Sequence, residues 1–197
     1  MSEHSRFGRR HFLVGAGLSA AVATGLVTAS AAVAEAAPRA RTTAHRVEGS
    51  GATVALLPGA AATVLLHVVR RFHYEIAALR DGDLTAAPGG LAVHVLPGRY
   101  PVGASGGLFP HEVAVVRDVL AECEGVVRWG GDDRGAPAEG LFRVAVAPGD
   151  RRLERVAAKI DDWRRTPGRG AGTPVEVFQP ERRRAAELLA GQQRAGR

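Results

Sequence analysis

Arg128-Trp129-Gly130-Gly131-Asp132, followed nine residues later by Leu141-Phe142-Arg143-Val144, reads as a strand, a turn and a second strand. Val126 to Trp129 is a short run of β-favouring residues, and the paired glycines stop it. Gly130 to Gly140 is rich in Gly, Asp, Pro and Ala, the composition of a loop. Leu141 to Ala147 then returns to apolar alternation. Working outward, Leu91 to Leu96 is another strand, closed by Pro97-Gly98. Pro110 suits the first turn of a helix running to about Glu122, with Val113, Val116 and Leu120 inward. Downstream, Asp150 is placed to cap a helix through Arg165 that turns Leu153, Val156, Ile160 and Trp163 inward.

Upstream, Ala61 to Leu79 carries Val64, Leu65, Val68, Val69, Phe72, Ile76 and Leu79 at three- and four-residue spacing. That predicts an amphipathic helix with Arg70, Arg71 and Glu75 off the apolar stripe. Thr53 to Leu57 reads as a strand ended by Pro58-Gly59. A last helix is expected from Pro180 to about Gln193, with a solvated Arg182-Arg183-Arg184 cluster. Short strands mixed with helices define an α+β domain.

The N-terminus reads as an export segment. Arg9-Arg10-His11-Phe12-Leu13 matches the core of a twin-arginine signal. A mildly apolar run follows to about Val33, and Ala34-Glu35-Ala36 supplies an A-x-A cleavage site. The expected organisation is a signal over 1–36, a flexible leader over 37–52, a folded domain over 53–165, and a Gly-rich linker with an Arg-rich helix over 166–197. The expected location is extracytoplasmic, with no membrane attachment once the signal is cleaved.

The Trp129-Gly130-Gly131-Asp132 turn leading to Phe142 resembles the C-terminal signature of the zinc D-alanyl-D-alanine carboxypeptidase and L-alanyl-D-glutamate endopeptidase family. Gly90-Leu91-Ala92-Val93-His94 resembles part of that family's Ser-x-His-x-x-Gly-x-Ala-x-Asp motif. The resemblance implies a small antiparallel sheet with packed helices, a zinc ion and a peptidoglycan stem peptide as substrate. It covers roughly residues 72 to 160.

Residue by residue, the implied chemistry is eroded. The motif's Ser aligns with Thr85, its His with Ala87 and its Asp with His94. The third ligand, a His after the turn, aligns with Leu141. A hydrolytic zinc site needs three protein ligands and a carboxylate to take a proton from bound water. His94 is the one candidate ligand in register. Glu139 is the nearest acid to the family's catalytic carboxylate, slightly out of register, and Asp132 is the acid of the retained turn. His67, His73 and His111 with Glu112 are further donors from which a site could be rebuilt. His111-Glu112 fails as a helical zinc motif, because Val115 stands where its second His belongs.

Composition bounds the alternatives. The formal net charge is +6, and Lys159 is the only lysine. Arginine in place of lysine fits a GC-rich coding sequence. No basic run is interleaved with aromatics, so a nucleic-acid stacking surface is not expected. Cys123 stands alone and excludes an intramolecular disulfide. The expectation is thus an exported, divergent carboxypeptidase-like protein without zinc catalysis and without a cofactor. Its expected partner is a peptidoglycan stem peptide or an envelope protein. An active zinc peptidase with a rearranged site and a non-enzymatic envelope interaction protein are the competing readings.

Overall fold

A computed structural model describes residues 41–195. The expected export segment and the first residues of the expected leader lie outside the described residues. The described chain is α+β, with two small antiparallel sheets and four helices.

Strands β1 (Thr43–Arg46) and β2 (Thr53–Leu56) form a hairpin, with Thr43 opposite Leu56. This differs from the leader expected over 37–52. Thr-Ala-His-Arg lacks apolar alternation, so its strand character is invisible locally. It becomes stable because Val47 and Ala52, both fully buried, close the turn between the strands.

Helix α1 (Ala60–Glu75) follows and packs chiefly against helix α3 (Arg151–Arg165). Its apolar stripe is buried as the spacing predicts: Val64, Leu65, Val68, Val69 and Phe72 are all at most 2% exposed. The helix ends earlier than the periodicity suggests. Ile76 leaves helical geometry, and the His73 ring accepts the Leu79 N–H at 2.8 Å. A side chain thus replaces the lost helical hydrogen bond, and Leu79 still reaches the core.

The main sheet has the order β3-β4-β6-β5, all antiparallel. Its strands are β3 (Leu84–Ala86), β4 (Ala92–Val95), β5 (Val127–Trp129) and β6 (Leu141–Val144). β3 is not among the strands expected from the sequence. Cross-strand partners share a face, and successive residues alternate between faces. Val93, Val95, Phe142, Val127 and Trp129 therefore form the core face, and all are buried. Helix α2 (Pro110–Glu122) contacts both α1 and β5. Phe72 meets the rings of Tyr100 and Phe142 edge-on at 6.0 and 6.3 Å, tying α1 to the sheet. Helix α4 (Pro180–Ala195) lies on α2.

Asp150 caps α3 as expected, its side chain accepting the Arg152 N–H at 2.8 Å. Cys123 is fully buried, and burial pushes its thiol up to about 12. That environment makes it an inert core residue.

Candidate functional site

The outward face of the main sheet carries the candidate ligand positions. β4 pairs with β3 through Thr85↔His94 and with β6 through His94↔Leu141. Thr85, His94 and Leu141 therefore stand in one row across three strands. The next row is Ala92 beside Arg143 and Arg128. Ala87 sits just beyond β3, where its N–H donates to the Ala92 carbonyl at 3.0 Å. The sheet thus brings together the positions that sequence reasoning aligned with metal ligands. Their side chains do not match that role.

His94 is half-buried, and its Nε2 lies 2.7 Å from the Tyr100 carbonyl. A carbonyl only accepts, so Nε2 carries the proton and Nδ1 keeps the ring's lone pair. The ring lies against Gly140, where a Cβ would come within 2.8 Å of the imidazole and 2.2 Å of the Val95 carbonyl. Glycine is required there by close approach. Leu141 and Thr85 contribute an isobutyl group and a hydroxyl. One imidazole lone pair falls short of the three ligands a hydrolytic zinc ion needs, so the residues present do not fit the ion.

Glu139 is 7% exposed and is turned to the loop ahead of α2. Its carboxylate accepts the N–H groups of Gly106 and Gly107 at 2.8 Å each, and that of Leu108 at 3.1 Å. Three backbone donors occupy the two oxygens. Glu139 is an anchor for the loop ahead of α2, and the role of catalytic base does not suit it. The sequence could not show where its carboxylate turns.

Asp132 is likewise committed. Arg117 of α2 donates to both its oxygens, one at 2.6 Å, and the same guanidinium lies 4.7 Å over the Trp129 ring. The Trp129 indole N–H donates to the Glu139 carbonyl at 2.6 Å. Gly131 lies against that indole, and a Cβ there would meet ring carbon Cζ2 at 2.3 Å. The Trp-Gly-Gly-Asp sequence is thus explained as architecture. The ring needs a glycine beside it, and the acid fixes the guanidinium stacked above.

The further histidines do not converge on His94. His67 bonds to Glu122, His73 bridges Gly49 and Leu79, and His111 stacks on Phe109. Glu112 serves the helix, accepting the Phe109 N–H at 2.7 Å. Among the described residues, no three His, Cys, Asp or Glu side chains gather in a way that could hold a metal ion.

A second polar cluster escaped sequence reasoning. Arg71, 1% exposed, pairs with Glu75, Asp118 and Glu122. Arg182 of α4 pairs with Asp118 and Glu122, and His67 lies 2.9 Å from Glu122. Arg182 is therefore part of a partly buried network, contrary to the solvated cluster expected. Burial pushes Glu122 up, but His67, Arg71 and Arg182 outweigh it and hold the carboxyl down at about 2. Burial also opposes the charge on Arg71, yet Glu75, Glu122 and Asp118 hold it well above its usual value. Spacing offered a faint signal, because His67, Arg71 and Glu75 recur at four-residue intervals, as do Asp118 and Glu122.

No protein-family model, curated protein or solved structure matches this chain.

Proposed function

We propose that this chain is an exported, non-hydrolytic relative of the zinc D-alanyl-D-alanine carboxypeptidases that binds peptidoglycan stem peptides. The observation that carries the reading is the row Thr85–His94–Leu141. It sets His94 directly opposite Leu141 on one face of the sheet, two positions that the resemblance aligns with metal ligands, and leaves one imidazole there. The turn from Trp129 to Asp132 supports the same descent, since its indole, glycines and acid are all engaged. Arg128 and Arg143 are cross-strand partners on the outward face. Arg143 also pairs with Asp133 and Arg128 donates to the Gln193 carbonyl at 3.4 Å, and on this reading their remaining donors meet the terminal carboxylate of a stem peptide. Export through the twin-arginine-like segment over 1–36 would bring the protein to where such peptides occur.

The test uses the purified protein and two readouts. Sedimentation with isolated peptidoglycan sacculi should retain the wild type and lose the Arg128→Ala, Arg143→Ala double variant. Incubation with muropeptides ending in D-Ala-D-Ala should release no D-alanine at any zinc concentration. Release of D-alanine would overturn the non-hydrolytic reading, and failure to sediment would overturn the binding reading.

A further inference from the structure

Away from the row on the sheet, a cavity of about 410 Å³ runs along the seam between α2 and α4. Its size is within the range of small-molecule sites. Three segments build it. Val113 and Ala114 come from α2, Ala186 and Ala190 from α4, and Val177 and Phe178 from the residues just before α4. Ala186 and Ala190 are buried at 7% and 4% exposure, so their methyl groups lie deep, whereas Phe178 is 53% exposed and stands as a wall. A large apolar ring left half in water beside a furrow of small side chains is surface that a ligand can cover.

The width of the furrow selects the occupant. α2 and α4 pack directly on one another. Helices in contact have axes about 8–10 Å apart. A third helix, about 10–12 Å across with its side chains, rides above such a seam and does not enter it. A single hydrocarbon chain enters and meets the alanine methyls.

The charges along the furrow are not uniform. Near Phe178, Arg183 is matched by Glu187 one turn further on. On α2, Arg117 is matched by Asp132. Arg194, in the last turn of α4, makes no ion pair among the described residues. Arg128 adds a second guanidinium at that end, donating to the Gln193 carbonyl at 3.4 Å. That bond also serves one of the carbonyls left open where a helix ends. Arg183 to Arg194 spans about 16 Å of helix. One end of the furrow is thus apolar with its charges paired, and the other is cationic.

We infer that this furrow binds a free fatty acid of medium chain length, its tail lying toward Phe178 and its carboxylate at Arg194. The apolar floor supplies affinity through the area removed from water, and the guanidinium sets the direction in which the chain lies. The site is separate from the sheet face of the proposed function and does not depend on it.

The test is calorimetric titration of the purified full chain with decanoate below its micelle concentration, joined to amide NMR mapping, with decyltrimethylammonium as the cationic control. Decanoate should bind one-to-one, shift Val113, Ala114, Ala186 and Ala190, and bind more tightly than the control. Arg194→Gln changes an exposed position, and should weaken decanoate about threefold to fivefold while leaving the control unchanged. No saturable decanoate binding, equal affinity for the two amphiphiles, or shifts confined to other surfaces overturns the inference. So does an Arg194→Gln variant that binds decanoate as tightly as the wild type. Shifts at the same residues on raising protein concentration without decanoate would assign the furrow to a second copy of the chain, and would overturn it too.

Discussion

His94 on β4 lies directly opposite Leu141 on β6, with Thr85 on β3 completing the row. Of the two positions in this row that align with metal ligands, His94 carries an imidazole and Leu141 an isobutyl group, while Thr85 aligns with the motif's serine.

Adding donors to this face should create metal binding. Leu141→His with Ala87→His adds two imidazoles beside His94, giving the three protein ligands zinc requires. Leu141 is half-buried, so its replacement should cost little stability. Zinc titration is expected to show one tight site in the double variant and none in the wild type. Absence of binding in a folded double variant would mean that positions 87, 94 and 141 do not converge.

Glu139→Gln should loosen the loop ahead of α2. The carboxylate accepts from Gly106, Gly107 and Leu108, whereas the amide turns a donor toward at least one of these N–H groups. A loss of about 2 kcal/mol is expected in urea denaturation. Amide exchange should rise at Gly106 to Leu108 while α3 is unaffected.

Trp129→Phe removes the indole donor to the Glu139 carbonyl and weakens the contact under Arg117. About 1–3 kcal/mol should be lost. Because Glu139 and Trp129 brace the same loop, a double-mutant cycle should show coupling between them. Additive effects would argue against a shared brace.

Much of this architecture is legible in the chain. The stripe on α1, the Pro110 start of α2, the Asp150 cap and the strands at Leu91, Val126 and Leu141 follow from local periodicity and turn chemistry. β1 and β3 do not, because Thr43–Arg46 and Leu84–Ala86 are extended only through pairing with partners. The row of candidate ligands was readable as positions. The fates of Glu139 and Asp132 were not, since nothing local shows a carboxylate turning to three N–H groups or to Arg117. The Arg71 network was hidden because α1 is buried on a second face, between α2 and α3, which a single apolar stripe does not reveal.

Arg71→Met should be severe despite similar length. It removes the guanidinium that pairs with Glu75 and leaves Arg182 alone against Asp118 and Glu122, and breaking a buried pair from one side costs about 3–5 kcal/mol. A much smaller loss in the unfolding midpoint would show that water reaches the cluster freely.

Acid should act through Glu122. Its carboxyl titrates near 4.5 when unperturbed and at about 2 in the fold. A folded-state value that is depressed stabilises the fold above the unfolded value, and the gain disappears as pH falls through the folded one. Stability from this group, on the order of 3 kcal/mol, should be complete above about pH 5 and lost toward pH 2. Glu122→Gln should flatten that part of the stability–pH curve.

Zinc content tests the central claim most directly. The purified protein, equilibrated with zinc and freed of excess, should carry far less than one equivalent, and His94→Ala should leave that residual amount unchanged. One equivalent of zinc that disappears in His94→Ala would contradict the account, because it would show a working metal site around the imidazole opposite Leu141.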